Sequence, residues 1–192
     1  MSQQSMMQQA LGQQWDTLPN ALKAHHQNRN NQDIGHLDIS YPRWMQPYLT
    51  VMRWFGVMMN RRAQHVPTQV HKHLEGECLY WARTLTFSDG KTLHFNSYWV
   101  YEGNNVITEY INRFMGLRLA VAIKDQALHY QGQGVVIKLG RWQFTVPESL
   151  LLGHTTILER AVDDQYFAMD FRLTHPWWGE VFRYAGTFKT ES

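Results

Sequence analysis

The sequence predicts a mainly β (α+β) protein: a strongly curved antiparallel sheet or barrel of about nine to ten strands, with N-terminal helices packing as a lid. Two observations carry this. From Val66 onward apolar residues recur with period two, and glycine or polar turns break the runs into short segments. Before Val66 the periodicity is helical.

The 192 residues suffice for one domain with a sizeable core, expected over 17–190, behind a flexible or helical tail at 1–16. Hydrophobic residues make up 44% and aromatics 14%, enough to fill a substantial interior. Lys and Arg number 18 against 16 Asp and Glu, and no basic run is long, so a nucleic-acid partner is not expected. The single cysteine, Cys78, excludes an internal disulfide framework and fits a reducing compartment. The opening MSQQSMMQQALGQQ lacks the basic flank and apolar stretch of a signal peptide, and the expected location is cytoplasmic. GxGxxG, P-loop, GxSxG and CxxC patterns are absent, and no cofactor is expected.

The elements follow in order. Residues 17–62 form the helical segment. Thr17 is placed as the N-cap of LPNALKAHH, NRNNQDIGH (28–36) as a polar loop, and YPRWMQPYLTVMRWFGVMMNRR as an amphipathic helix from near Pro47. Tyr48, Leu49, Met52, Phe55 and Met59 share one face of that helix, which is too short to span a bilayer and is interrupted by Arg53. Residues 66–190 form the antiparallel meander. It runs through VPTQVHKHLE, CLYWARTLTF, TLHFNSYWVY, VITEYI, LRLAVAIK, ALHYQ, GVVIKL, WQFTV, LLLGHTTILERAV, YFAMDFRLT and EVFRYAGTF. GQGVV (132–136) reads as a turn between two of these runs.

Charges on apolar faces single out the candidate site. Period two sets Arg83 in the row Leu79, Trp81, Leu85, Phe87; Glu109 between Ile107 and Ile111; and Glu159 between Ile157 and Ala161. An unpaired charge on an inward face costs several kcal/mol, so Arg83 should meet Glu109, Glu159 or a ligand. Either it forms an internal pair, or its planar fork anchors the carboxylate or phosphate of a ligand whose tail fills the barrel. His71 and His73 share a face with Gln69 and Glu75, a solvated pattern, and His25 and His26 close a helix as caps, so no metal site is expected. Met45, Met52, Met58 and Met59 make the long helix soft and apolar. It should pack as core, act as a lid, or dock on a membrane surface with Arg43, Arg53, Arg61 and Arg62 as basic flanks. Trp177 and Trp178 lie on the last hairpin tip, where cover by that helix is expected.

LPNALKAHH, the Arg/Trp-rich helix ending FGVMMN, VPTQV, GECLYWARTLTF, VITEYINRFMGLRLAV, LLGHTTILERAVDDQYFAMDF and HPWWGEVFRYAGTF occur in an order that resembles a bacterial family, domain of unknown function 4166, from Leu18 to Phe188. Trp81, Arg83, Glu109, Gly116, Glu159, Pro176, Gly179, Tyr184 and Gly186 match its recurrent positions. RWQFTVPESLLL departs from the leucine-proline run common before the late strand. The resemblance implies no activity. It does imply a unit found alone or behind a nicotinamide-dinucleotide-binding reductase-like domain, so a reductase is one candidate partner.

The leading functional expectation is a small-molecule or lipid-binding module holding an amphiphilic acidic ligand, with Arg83, Trp81, Glu109, Trp99, Tyr184, Trp177 and Trp178 as contacts. The alternatives are an accessory domain of a reductase, or an enzyme using Glu109 or Glu159 as a general acid or base whose pKa burial raises.

Overall fold

The computed structural model describes residues 4–27, 30–151 and 153–191. Eleven strands form one antiparallel sheet: β1 (Asn31–Ser40), β2 (Ala63–Glu75), β3 (Cys78–Thr86), β4 (Thr92–Gly103), β5 (Val106–Tyr110), β6 (Met115–Lys124), β7 (Ala127–Leu139), β8 (Trp142–Val146), β9 (His154–Ala161), β10 (Tyr166–His175) and β11 (Gly179–Glu191). β1 pairs with both β2 and β11, and β7 pairs with both β6 and β9, so ten strands close into a barrel. The other edge of β7 is shared: β9 takes its first half and β8 its last. Closure leaves few backbone groups without a ladder partner.

The alternation anticipated from Val66 builds this wall. Leu79, Trp81, Leu85 and Phe87 from β3 and its turn face the interior, as do Leu93, Phe95 and Trp99 from the β4 row. GQGVV is not a turn: Gly132 and Gly134 lie within the continuous β7. A bulge opposite Arg118 and Leu119 absorbs the backbone irregularity, with Gly134 at φ 138°. A Cβ at Gly132 would collide with the carboxylate of Glu148, so the glycine makes room for an acid rather than for a bend.

The segment before Val66 differs from the expected helical stretch. The polar loop placed over 28–36 is β1 from Asn31 onward; residues 28 and 29 lie outside the described residues. Its inward row is Asn31, Asp33, Leu37 and Ile39, so two polar side chains replace the apolar residues that mark a half-buried strand. Thr17 does not cap the following helix. That helix, α2 (Asn20–His25), starts after Pro19, and the Thr17 hydroxyl donates back to Gln14. The tail contains a six-residue helix, α1 (Met6–Leu11), closed by a Ser5–Gln8 capping box and burying Met6, Met7, Ala10 and Leu11.

The long amphipathic helix is shorter than its periodicity suggests. Helix α3 spans Gln46–Trp54 and ends in a Schellman pattern, with Gly56 (φ 73°) donating to Arg53 and Val57 to Met52. Leu49 is buried, but Phe55, expected on the packed face, is 66% exposed beyond that stop. Val57, Met58 and Met59 then descend as a buried non-helical run.

Candidate functional site

The barrel interior is divided by an ion pair. Arg83 from β3 donates to Ser97 Oγ (2.7 Å) and to Glu109 Oε1 (3.0 Å), and the Ser97 hydroxyl donates to the same carboxylate oxygen (2.6 Å). Of the two carboxylates open to Arg83 in the sequence, Glu109 is the one it meets. Trp81 and Phe95 rings flank the guanidinium at 5.2 and 5.6 Å.

Two chambers adjoin this pair. The outer one is lined by Met52, Met58, Met59, Phe95, Phe171 and Phe182, among others. The inner one carries His25, Asp33, Trp81, Trp99, Tyr130 and Glu159. Glu109 and Tyr184 line both. Tyr184 stacks on Phe171 at 4.6 Å, and burial raises the pKa of its phenol.

The inner chamber is bounded by two linked networks, and its helical contributors are the residues read as caps. α2 ends against the barrel, so His25 and His26 close the helix but send their rings inward, where both are buried. His26 Nε2 lies 2.7 Å from Glu159 Oε2, and Tyr130 donates to that oxygen at 3.0 Å. His25 Nδ1 lies 2.9 Å from Asp33 Oδ2, which Lys72 also approaches at 2.9 Å; Lys72 further donates to the His25 carbonyl.

These contacts set the protonation states. Burial lowers the His26 pKa to about 4 despite the Glu159 carboxylate. Burial is the largest influence on His25 and opposes its protonation, but the charge of Asp33 and hydrogen bonds to Asp33 and Glu159 together outweigh it and the pKa is raised. For Asp33 burial would raise the pKa, yet His25 and Lys72 hold it at about 2. Glu159 follows the same logic: burial pushes up, and the two histidines bring its carboxyl well below the usual carboxylate range. The raised pKa anticipated for a buried catalytic Glu159 is thus reversed, because its partners outweigh desolvation. Burial lowers the Lys72 pKa and raises that of Tyr130 well above the ordinary phenol value.

Polar atoms without partners remain. The indole Nε1–H groups of Trp81 and Trp99, on residues lining the inner chamber, and Glu148 Oε1, on a residue lining the outer one, are buried with no hydrogen-bond partner among the described residues. The other Glu148 oxygen accepts from the Thr155 amide and lies 3.0 Å from His154 Nδ1. His25, His26 and Glu159 place three ligand atoms within 4.8 Å of one another, a donor set that suits a transition metal. The Lys72 ammonium 3.1 Å from His25 Nδ1 opposes a cation there, and the histidine and glutamate atoms already have protein partners.

Trp81, Arg83, Glu109, Trp99, Tyr184 and Glu159 thus converge on the interior. Trp177 and Trp178 do not: they sit on the β10–β11 tip, 84% and 60% exposed. The expected cover by the helix over 44–59 leaves both rings exposed: Trp44, just before α3, meets Trp178 edge to face at 5.5 Å. His71 and His73 are exposed.

The sequence profile of a family described as Domain of unknown function (DUF4166) matches residues 18–188, nearly the whole chain. The chain belongs to the DUF4166 family. No curated protein and no solved structure matches it. In this DUF4166 barrel the matched region begins just before α2 and ends near the close of β11, so it includes every residue of the two interior networks.

Sequence reasoning missed Lys72, Asp33, Ser97, Tyr130 and Glu148 as site residues. Lys72 and Ser97 carried a signal, since each occupies an inward row, Val66–Val70–Lys72 and Phe95–Ser97–Trp99. Asp33 was hidden by the absence of an apolar alternation in β1.

Proposed function

We propose that this DUF4166 chain is a binding module for an elongated amphiphile, with an apolar body in the outer chamber and an oxygen-bearing head in the inner one. The observation that carries this reading is the pair of buried indole N–H groups without partners on Trp81 and Trp99, two residues that line a chamber sharing Glu109 and Tyr184 with an apolar one. A buried donor without an acceptor costs about 1–3 kcal/mol, which a bound carbonyl, ether or hydroxyl oxygen would recover. The Tyr184 hydroxyl adds a donor at the junction, and Glu148 Oε1 an acceptor in the outer chamber.

Charge favours an uncharged head. Asp33, Glu109 and Glu159 are balanced by Lys72, Arg83 and His25, so an acidic head would compete with Glu109 for Arg83, whereas a hydroxyl or carbonyl need not. Methionines and phenylalanines adapt to varied apolar shapes, as a binding pocket requires.

Native mass spectrometry and solvent extraction of the purified protein test the reading. A neutral amphiphile should co-purify, or members of a fatty-alcohol, ester and sterol panel should raise the melting temperature. Trp99→Phe and Tyr184→Phe should weaken that shift without unfolding the protein. Protein recovered empty, with no panel member raising the melting temperature, would overturn it.

A further inference from the structure

Antiparallel order decides which connections share an end of the barrel. β1, β3, β5, β7 and β10 finish where β2, β4, β6, β8 and β11 begin, which gathers the connections 41–62, 87–91, 111–114, 140–141 and 176–178 and the strand ends at 138–139, 142 and 179–180. The 147–153 connection joins them, since Tyr48 of α3 donates to the Leu151 carbonyl. Eleven of the fourteen exposed large hydrophobic residues lie in this end group with β8, including Trp44, Trp54, Phe55, Phe114, Trp142 and Trp177. Only Ile34, Val162 and Tyr166 lie elsewhere among the described residues.

Charge is distributed with the same polarity. Segments 41–62, 87–91, 111–114, 138–153 and 176–180 hold eight Lys and Arg against three Asp and Glu, although the whole chain carries only +2. One of the three acids, Glu148, is buried, and another, Asp89, is paired with Arg61 at 2.9 Å. The two features interleave residue by residue: Arg43–Trp44, Arg53–Trp54, Arg113–Phe114 and Arg141–Trp142 are adjacent pairs. The Arg113 guanidinium lies 4.4 Å from the Phe114 ring centre.

Aromatic rings and arginines also serve protein interfaces, but a basic excess of eight against three, interleaved with rings over one end of the barrel, complements the headgroup zone of an anionic bilayer. There an aromatic ring sits at the boundary of acyl chain and water, and a guanidinium binds phosphate in bidentate fashion. Each cation near an anionic surface adds to the attraction, and exposed rings add depth. We infer that this end of the barrel is a docking surface for an anionic phospholipid bilayer. Docking turns the mouth of the outer chamber, edged by Met52 and Leu151, toward the lipid. The attachment itself needs no occupant in the barrel, so it stands or falls separately from the ligand reading.

Co-sedimentation of the full chain with vesicles tests it, using phosphatidylcholine alone and phosphatidylcholine containing one quarter phosphatidylglycerol. The wild type should partition about tenfold more strongly onto the anionic vesicles, and added salt should erase most of that preference. Trp177→Ser/Trp178→Ser should reduce partitioning about tenfold on both vesicle types, because interfacial rings act irrespective of lipid charge. Arg43→Gln/Arg113→Gln should lower the anionic preference several-fold while leaving the weak phosphatidylcholine binding. All four side chains are exposed, so both variants should retain the wild-type melting temperature. Wild type that stays in the supernatant with anionic vesicles would overturn the inference. So would a concentration-dependent dimer that Trp177→Ser/Trp178→Ser dissociates while no form binds vesicles, since the surface would then join two copies of this chain.

Discussion

His26 and Glu159 meet at 2.7 Å inside the barrel although 133 residues separate them in the chain. The contact ties the C-terminal end of α2 to β9 and makes the N-terminal segment part of the barrel interior. Both groups are buried, so the pair can be stable only while Tyr130 and His25 share its remaining hydrogen-bonding capacity.

The first prediction concerns pH. The folded His26 pKa lies near 4, below its ordinary 6.5, so between these values the unfolded chain takes a proton that the folded one refuses. Stability should therefore fall as pH drops through this window, by on the order of 3 kcal/mol from this group. Below it Asp33, lowered from 3.8 to about 2, and the lowered Glu159 withdraw their contributions as pH falls further. His25 has the opposite sign: its raised pKa contributes fully below 6.5 and is lost as pH climbs through the folded value. Urea denaturation across this range checks the profile, and a midpoint unchanged between pH 6.5 and 4 would contradict it.

Removing one partner of the Glu159 network should cost in proportion to what is left unpaired. Tyr130→Phe deletes one hydrogen bond to a carboxylate that keeps His26, and should destabilise by about 1–3 kcal/mol. Glu159→Leu removes the acceptor that His26 and Tyr130 share and the carboxylate beside His25. It leaves Tyr130 and His26 3.1 Å apart with only each other, and should cost more than Tyr130→Phe. Equal denaturation midpoints for the two variants would argue against the network.

The Arg83–Glu109 pair is almost fully inside the wall, with side chains 14% and 10% exposed. Arg83→Met should destabilise by about 3–5 kcal/mol, because the Glu109 charge remains buried with only Ser97 to meet it. Arg83→Met/Glu109→Leu should recover part of that loss. A double-mutant cycle read by chemical denaturation measures the coupling, and additive losses would mean that the two groups do not interact.

Gly186 on β11 is placed by close approach rather than by backbone conformation. A Cβ there would collide with the His36 carbonyl oxygen on β1, and backbone cannot step aside as a side-chain tip can. Gly186→Ala should lower the melting temperature sharply, with a cost of several kcal/mol. A change comparable to that of an exposed strand substitution would show that β1 and β11 separate more easily than their ladder suggests.

Much of the wall was readable from side-chain alternation. Period two put Trp81, Arg83, Glu109 and Glu159 on inward faces because a strand cannot show one side chain to both sides of a sheet. The same rule would have exposed Lys72, which lies two residues from Val70 on the same row. His25 and His26 were not readable in this way. A six-residue helix specifies no direction for its last turn, and only the packing of α2 against β9, β10 and β11 turns those rings inward.

Residue order alone therefore determined that a curved antiparallel sheet forms and which charges its inner face must accommodate, since periodicity is a property of neighbours in the chain. Tertiary structure decided which charge meets which. Closure through β1 and β11 and the register of each ladder bring Asp33 to Lys72 and β9 to the end of α2, and those distances depend on contacts made far apart in sequence. The exposure of the arginine–tryptophan end was decided at the same level, because the Schellman stop at Gly56 ends α3 and leaves Trp54 and Phe55 exposed beside the open hairpin tip.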